Sequence, residues 1–264
     1  MRELGPGGAA NGERHLSARA VFLDRDGTLT ELVYDRETGY IDSAAKPEEL
    51  RLVNGAGEAL KRLREAGYGV FLVSNQPGLA KGRFSAETFE AAKMRLRELL
   101  ASEGVALDGE YYCLHHPSSL VAEYRLNCDC RKPAPGMLVR AAREHGLNLA
   151  LSYMVGDDLN DIKAGVAAGC STVFIGRLTG LLAQTLESEG LRPAFVSHTL
   201  LEAAKRIASR GTGPRSWVKD EPEEEAESLG ARAFKSPERS LGMGHKIDLS
   251  PGAGAGRRVR FGFD

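Results

Sequence analysis

No apolar run in this chain approaches the length of about 18 residues that a membrane-spanning helix requires, so no membrane span is expected. An excess of one charge is missing too. Thirty-five Lys and Arg against 36 Asp and Glu leave a formal net charge of −1, which provides no electrostatic footprint for nucleic acid or an anionic membrane surface. The opening stretch MRELGPGGAANGERHLSARA mixes arginines and glutamates and has no apolar centre, so it does not read as a secretory signal. Cysteine is scarce. Four residues are too few for a disulfide scaffold of this size, and three of them, Cys113, Cys128 and Cys130, crowd together. A reducing, cytoplasmic setting is the expectation.

What is present falls into three zones. Residues 1–18 are Gly-rich, polar and aperiodic, which suits a disordered arm. Residues 19–209 alternate short apolar runs with amphipathic stretches, the pattern of strands and helices in turn. Beyond them, 210–264 changes character. Leu, Ile, Val and Phe supply only 9 of the last 54 residues, too few to offset chain entropy by burial, so a disordered low-complexity tail is expected.

Inside the central zone, AVFL (20–23), YGVFLVS (68–74), EYYCL (110–114), SYMVG (152–156) and STVFI (171–175) read as buried strands. Asn54 can cap a helix with Ala59, Leu60 and Leu63 on one face, and Ser85 a longer one with Phe89, Ala92, Leu96, Leu99 and Leu100. Pro135 suits a first helical turn that runs on to Gly146, and a short helix should end at Gly169. Strand–helix alternation implies a mainly parallel sheet covered on both faces. The expected fold class is α/β, doubly wound, with no large cap domain.

Such sheets bind ligands beyond the carboxyl ends of their strands. DRDGT (24–28), SNQPG (74–78) and GDDLND (156–161) all fall at strand ends. Acids converging on one edge repel one another unless a cation joins them, and Mg²⁺ commonly links a few carboxylates to phosphate. An Asp beside that ion can attack phosphorus. Taken singly, each cluster is ordinary turn or capping chemistry. Another feature stands apart. Cys113-Leu114-His115, twelve intervening residues, then Cys128-Asp129-Cys130 offer three thiolates and an imidazole, a closed structural Zn²⁺ set, with His116 the alternative imidazole. Cys170 reads as a small core residue.

The ordered set DRDGT, SNQ, RKP and GDDxxD resembles the haloacid dehalogenase (HAD) superfamily of phosphatases. That resemblance implies Asp24 as nucleophile, Asp26 as general acid and base, and Ser74 and Lys132 as holders of the phosphoryl oxygens. It further implies Asp24, Asp26 and Asp157 as the Mg²⁺ set. The segment YYCLHHPSSLVAEYRLNCDCRKPAPGML is similar to the zinc loop of the D-glycero-D-manno-heptose 1,7-bisphosphate phosphatases. By that likeness Arg131 meets the non-reacting end of a small phosphorylated sugar, Asn75 and Gln76 lie by the phosphoryl pocket, and the zinc loop with the loop from Glu31 to Ser43 recognises the sugar. Many such enzymes carry a basic residue where this chain has Asp158, and the loop after Gly27 is longer here. A histidinol-phosphate or other small-metabolite phosphatase is the alternative, and a non-catalytic binding module the distant one. Without a large cap, a monomer is expected.

Overall fold

The computed structural model describes residues 18–34, 39, 41–44 and 46–210. The arm expected over 1–18 and the tail expected over 210–264 lie outside the described residues, except for Ala18 and Arg210.

The chain opens with β1 (Ala20–Leu23), followed by two short antiparallel strands, β2 (Val33–Tyr34) and β3 (Ile41–Asp42), within the loop expected to face the substrate. Then come α1 (Ala56–Glu65), β4 (Gly69–Asn75), α2 (Ala86–Ser102) and β5 (Gly109–Cys113). The second half runs through α3 (Gly136–His145), β6 (Tyr153–Gly156), α4 (Leu159–Ala168), β7 (Ser171–Ile175), α5 (Gly180–Ser188), β8 (Phe195–Ser197) and α6 (Leu200–Ser209).

Six strands form one parallel sheet in the order β5-β4-β1-β6-β7-β8. The chain builds outward from β1 on one side, then returns to β1 and builds outward on the other. That reversal opens a crevice at the carboxyl ends of β1, β4 and β6. Alternate residues of β1 point to opposite faces. Val21 and Leu23 join a core with α1, α2 and α6, while Ala20 and Phe22 join another with α3 and α4. Each buried Leu or Phe in these cores contributes about 1.5–3 kcal/mol. The expected doubly wound, mainly parallel α/β fold is the one found.

Local signals hold at most ends. Ser85 accepts a hydrogen bond from the Thr88 amide at 3.2 Å, and Gly146 and Gly169 close α3 and α4 in the left-handed conformation. The start of α1 differs. Its cap is Gly55 at φ 75°, not Asn54, because the chain turns tightly there, with the Ala56 amide bonded to the Val53 carbonyl. No helix among the described residues is long and apolar enough to cross a membrane.

Candidate active site

Asp24 directly follows β1, and its amide donates to the Val155 carbonyl of β6 at 3.0 Å. The next residues form a tight loop in which the Leu29 and Thr30 amides both donate to the Arg25 carbonyl, at 2.9 and 2.7 Å. Gly27, at φ 80°, turns the chain so closely past β6 that a Cβ would overlap the Asp157 carboxylate. The Thr28 hydroxyl completes that approach by donating to Asp157 Oδ1 at 2.9 Å.

Lys132 is the hub. Its side chain is 3% exposed, and Nζ lies 2.8 Å from Asp24 Oδ1, 2.6 Å from Asp161 Oδ1 and 2.9 Å from the Val73 carbonyl. It donates to the carbonyl and forms ion pairs with the two carboxylates. Burial works against the charge, but Asp161 and Asp24 together outweigh it and hold the lysine above its ordinary pKa. Asp161, on the first turn of α4, is also lifted, to about 7, by burial, while Lys132 pulls the other way. Burial pushes Asp157 up to about 6, and the neighbouring charge of Asp24 adds to it.

Oxygen atoms of Asp24, Asp157 and Asp161 lie within 4.8 Å of one another. Asp161 is a residue that motif reading left out of the site. The motif GDDLND contains it, on the first turn of α4, but its place beside Asp24 comes from packing across the sheet edge. Asp26, expected to share the cation, lies outside this carboxylate group. The tight loop turns it toward Arg25, whose Nε and Nη2 both approach Asp26 Oδ1 at 3.0 Å, while Gln76 Nε2 donates to Oδ2 at 2.7 Å. The Thr30 hydroxyl adds a third contact at 3.3 Å. Asp158 caps α4, and its Oδ1 accepts from the amide and side chain of Asn160.

Ser74, Asn75 and Gln76 end β4. The Ser74 side chain is buried, and its hydroxyl oxygen accepts from Gln76 Nε2 at 3.0 Å, so Gln76 bridges Ser74 and Asp26. Asn75 turns elsewhere. Its amide exchanges two hydrogen bonds with the backbone of Lys132, at 2.9 and 3.0 Å. Arg131 is half-buried and donates to the His115 carbonyl at 3.3 Å.

The cysteine set assembles at the end of β5. Cys113, Cys128 and Cys130 sulfurs lie 3.2–3.6 Å apart, all as free thiols, and His115 Nδ1 is 3.3 Å from Cys130 Sγ. All four ligand atoms fall within 4.8 Å of one another. His116 is not in the set, since its Nδ1 accepts from the Ser118 amide at 3.1 Å. Cys170 is buried in the core between β6 and α4, its thiol pushed up to about 12 by desolvation alone.

A parallel sheet with carboxylates and a buried lysine at its central carboxyl edge defines the HAD-like hydrolase class, and a HAD-hydrolase-like family model matches residues 129–203. A D-glycero-beta-D-manno-heptose-1,7-bisphosphate 7-phosphatase of Yersinia pestis is 38% identical over 195 residues, 74% of this chain and 97% of that protein. Its counterpart in Escherichia coli (strain K12) is 40% identical over 161 residues, 61% of this chain and 80% of that protein. The crystal structure of D,D-heptose 1,7-bisphosphate phosphatase from B. bronchiseptica, complexed with magnesium and phosphate, superposes with a TM-score of 0.59. It is 32% identical and covers 73% of this chain and 99% of that one. The chain belongs to the D-glycero-beta-D-manno-heptose-1,7-bisphosphate 7-phosphatase family.

Proposed function

We propose that this chain is a Mg²⁺-dependent phosphomonoesterase that works through an aspartyl-phosphate on Asp24 and removes the 7-phosphate of D-glycero-D-manno-heptose 1,7-bisphosphate. The observation that carries the reading is the buried Lys132 ammonium shared by Asp24 and Asp161 at the mouth of the central strands. The substrate is drawn from the family, whose members at about 40% identity carry that name.

The carboxylate group fits a hard divalent cation. All of its donors are oxygen, and Asp157 and Asp161 are lifted by burial and by the neighbouring charge of Asp24, a cost that a cation relieves. Asp24, Asp157 and Asp161 would hold it, and Mg²⁺ supplies neutralisation of charge on the phosphoryl oxygens.

The protein's own groups then account for two displacements. Asp24 Oδ1 is fixed by the Arg25 amide at 2.7 Å and by Lys132, which leaves Oδ2 to attack phosphorus. As the new P–O bond forms, the bond to the sugar oxygen breaks, and Asp26 gives that oxygen its proton. Lys132 and Ser74 stabilise charge on the transferred oxygens. Asp26 next takes a proton from water, which attacks the phosphoryl group, and Asp24 leaves as a carboxylate with release of phosphate. Arg25, Thr30 and Gln76 orient Asp26 for both transfers.

Cys113, His115, Cys128 and Cys130 fit Zn²⁺ as a closed sulfur–nitrogen set with no position left open. It lies in the loop that leads into Arg131 and Lys132, and its role is to hold them. A cysteine-rich metal set of this kind suits a reducing compartment, so we assign the enzyme to the cytoplasm. The catalytic unit is residues 19–209.

The test is turnover of the heptose bisphosphate beside histidinol phosphate, in wild type and Asp24→Asn. Hydrolysis should favour the heptose ester and vanish in the variant, with its circular dichroism unchanged. Persistent turnover by a folded Asp24→Asn protein denies the nucleophile. Preference for histidinol phosphate would keep the mechanism and replace the substrate.

A further inference from the structure

We infer that Asn75 is a positioning residue: its side chain clamps the backbone of Lys132 so that the buried ammonium meets Asp24, and it does not serve as a substrate contact. This rests on the roles of Asp24 and Lys132 given above.

Asn75 Nδ2 donates to the Lys132 carbonyl at 2.9 Å, and the Lys132 amide donates to Asn75 Oδ1 at 3.0 Å. This reciprocal pair is what two opposed residues exchange in an antiparallel ladder. Here a side chain makes it, with a residue 57 positions away that belongs to no strand. Both ends of the amide are engaged before any substrate arrives.

The place of Asn75 in the sheet explains why the clamp matters. As the last residue of β4 it stands opposite Cys113, and the next amide, Gln76 N–H, donates to the Cys113 carbonyl at 2.7 Å. The chain leaves the sheet at Cys113 and returns past Cys130. It is therefore held by residues 75 and 76 at both points, through backbone at the exit and through the Asn75 side chain at the return. The thiol–imidazole set ends at Cys130, two residues short of Lys132, so it fixes the loop without fixing the lysine's own peptide groups. Asn75 covers that gap.

Position is critical because the Lys132 ammonium is buried among three oxygens at 2.6–2.9 Å. Its three acceptors lie on β4, at Asp24 and on α4. A shift of the backbone at residue 132 would draw Nζ away from Asp24 Oδ1 and release the oxygen whose fixation selects the attacking one. Misplacement of about 1 Å at a reacting group can cost on the order of 10²-fold in rate.

The experiment uses the full chain. Asn75→Leu keeps the bulk of the side chain and removes both hydrogen bonds, while Asn75→Asp keeps the acceptor for the Lys132 amide and loses the donor. For Leu, kcat should fall about 10²-fold; for Asp, about tenfold, the worth of one hydrogen bond. KM should stay within about threefold, because only a group acting on the chemical step is disturbed. The fold-loss should be the same for the heptose bisphosphate and for p-nitrophenyl phosphate, and bound zinc should match wild type. In a Lys132→Met background, Asn75→Leu should cost nothing further.

A rise in KM with kcat intact, or additive losses in the double variant, would overturn the clamp and make Asn75 a direct substrate contact. Loss of zinc in step with activity would overturn it in favour of general loop support. Should Asn75→Leu fail to fold, the same kcat–KM division in Asn75→Asp decides. Turnover by Asp24→Asn would instead remove the catalytic reading beneath it, so the two failures are separately visible.

Discussion

Gly27 joins two parts of the site that are far apart in sequence. At φ 80° it occupies a conformation that costs an L-residue roughly 1–2 kcal/mol, and a Cβ there would strike the Asp157 carboxylate 130 positions along the chain. Gly27→Ala should therefore lower stability by about 1–2 kcal/mol in urea unfolding. It should also cut kcat about tenfold or more by pushing Asp157 off its place beside Asp24. A variant with wild-type kcat would show that Asp157 tolerates displacement. At this scale the sequence was partly legible. DRDGT falls at a strand end, and the family pattern marks Asp24, Asp26 and Asp157. It could not reveal that Arg25 and Gln76 would draw the Asp26 carboxylate aside, or that Asp161 would take a place beside the other two. Those outcomes depend on which side chains meet across the sheet edge, and no local spacing encodes that.

Among the elements, local chemistry explains ends and long-range packing explains order. Ser85 starts α2 by accepting the Thr88 amide, and the helix buries Phe89, Ala92, Leu96 and Leu100. Ser85→Ala should cost about 1 kcal/mol in denaturant unfolding, the usual worth of a serine cap. It should leave kcat unchanged, since α2 carries none of the site residues. A fall in activity at unchanged stability would mean that α2 steers the site. Such caps, with the apolar runs of β1, β4, β5, β6 and β7, are readable because each depends on a few neighbouring residues. The start of α1 lies one residue beyond the expected Asn54 cap because Gly55 can take up a left-handed cap beneath Leu201, a contact made by the distant helix α6. Likewise β8, α5 and α6 were not separated in the sequence. β8 has three residues, and its pairing with β7 is what makes it a strand. The return of the chain to β1 after β5, which creates the crevice, is a property of pairing between remote strands.

For the whole molecule, the question is how much chain the active unit requires. The match to the Yersinia pestis relative spans 97% of that protein but only 74% of this chain, so a family member is nearly complete within a part of the present sequence. Among the described residues the last element is α6, which is amphipathic and places Leu200, Ala203, Ala204 and Ile207 in the core beside β8. Just beyond it, the Arg210 guanidinium lies 4.7 Å from the centre of the Phe195 ring and that of Arg206 lies 4.4 Å away, so a cut must fall after residue 210. Past that point the sequence offers too little apolar surface to add a second core. A chain ending at residue 212 should keep kcat and KM within about twofold of the full chain. Its Tm should also change by no more than about 2 °C, because every core side chain among the described residues is kept. A drop in Tm of about 4 °C or more would correspond to a loss on the order of 1 kcal/mol and would mean that the tail packs against the catalytic unit. A rise in KM at unchanged Tm would place tail residues at the substrate. With neither change, the chemistry is complete within the sheet, its helices and the cysteine-bearing loop, and the acidic and Gly-Ala segments beyond serve some purpose other than hydrolysis.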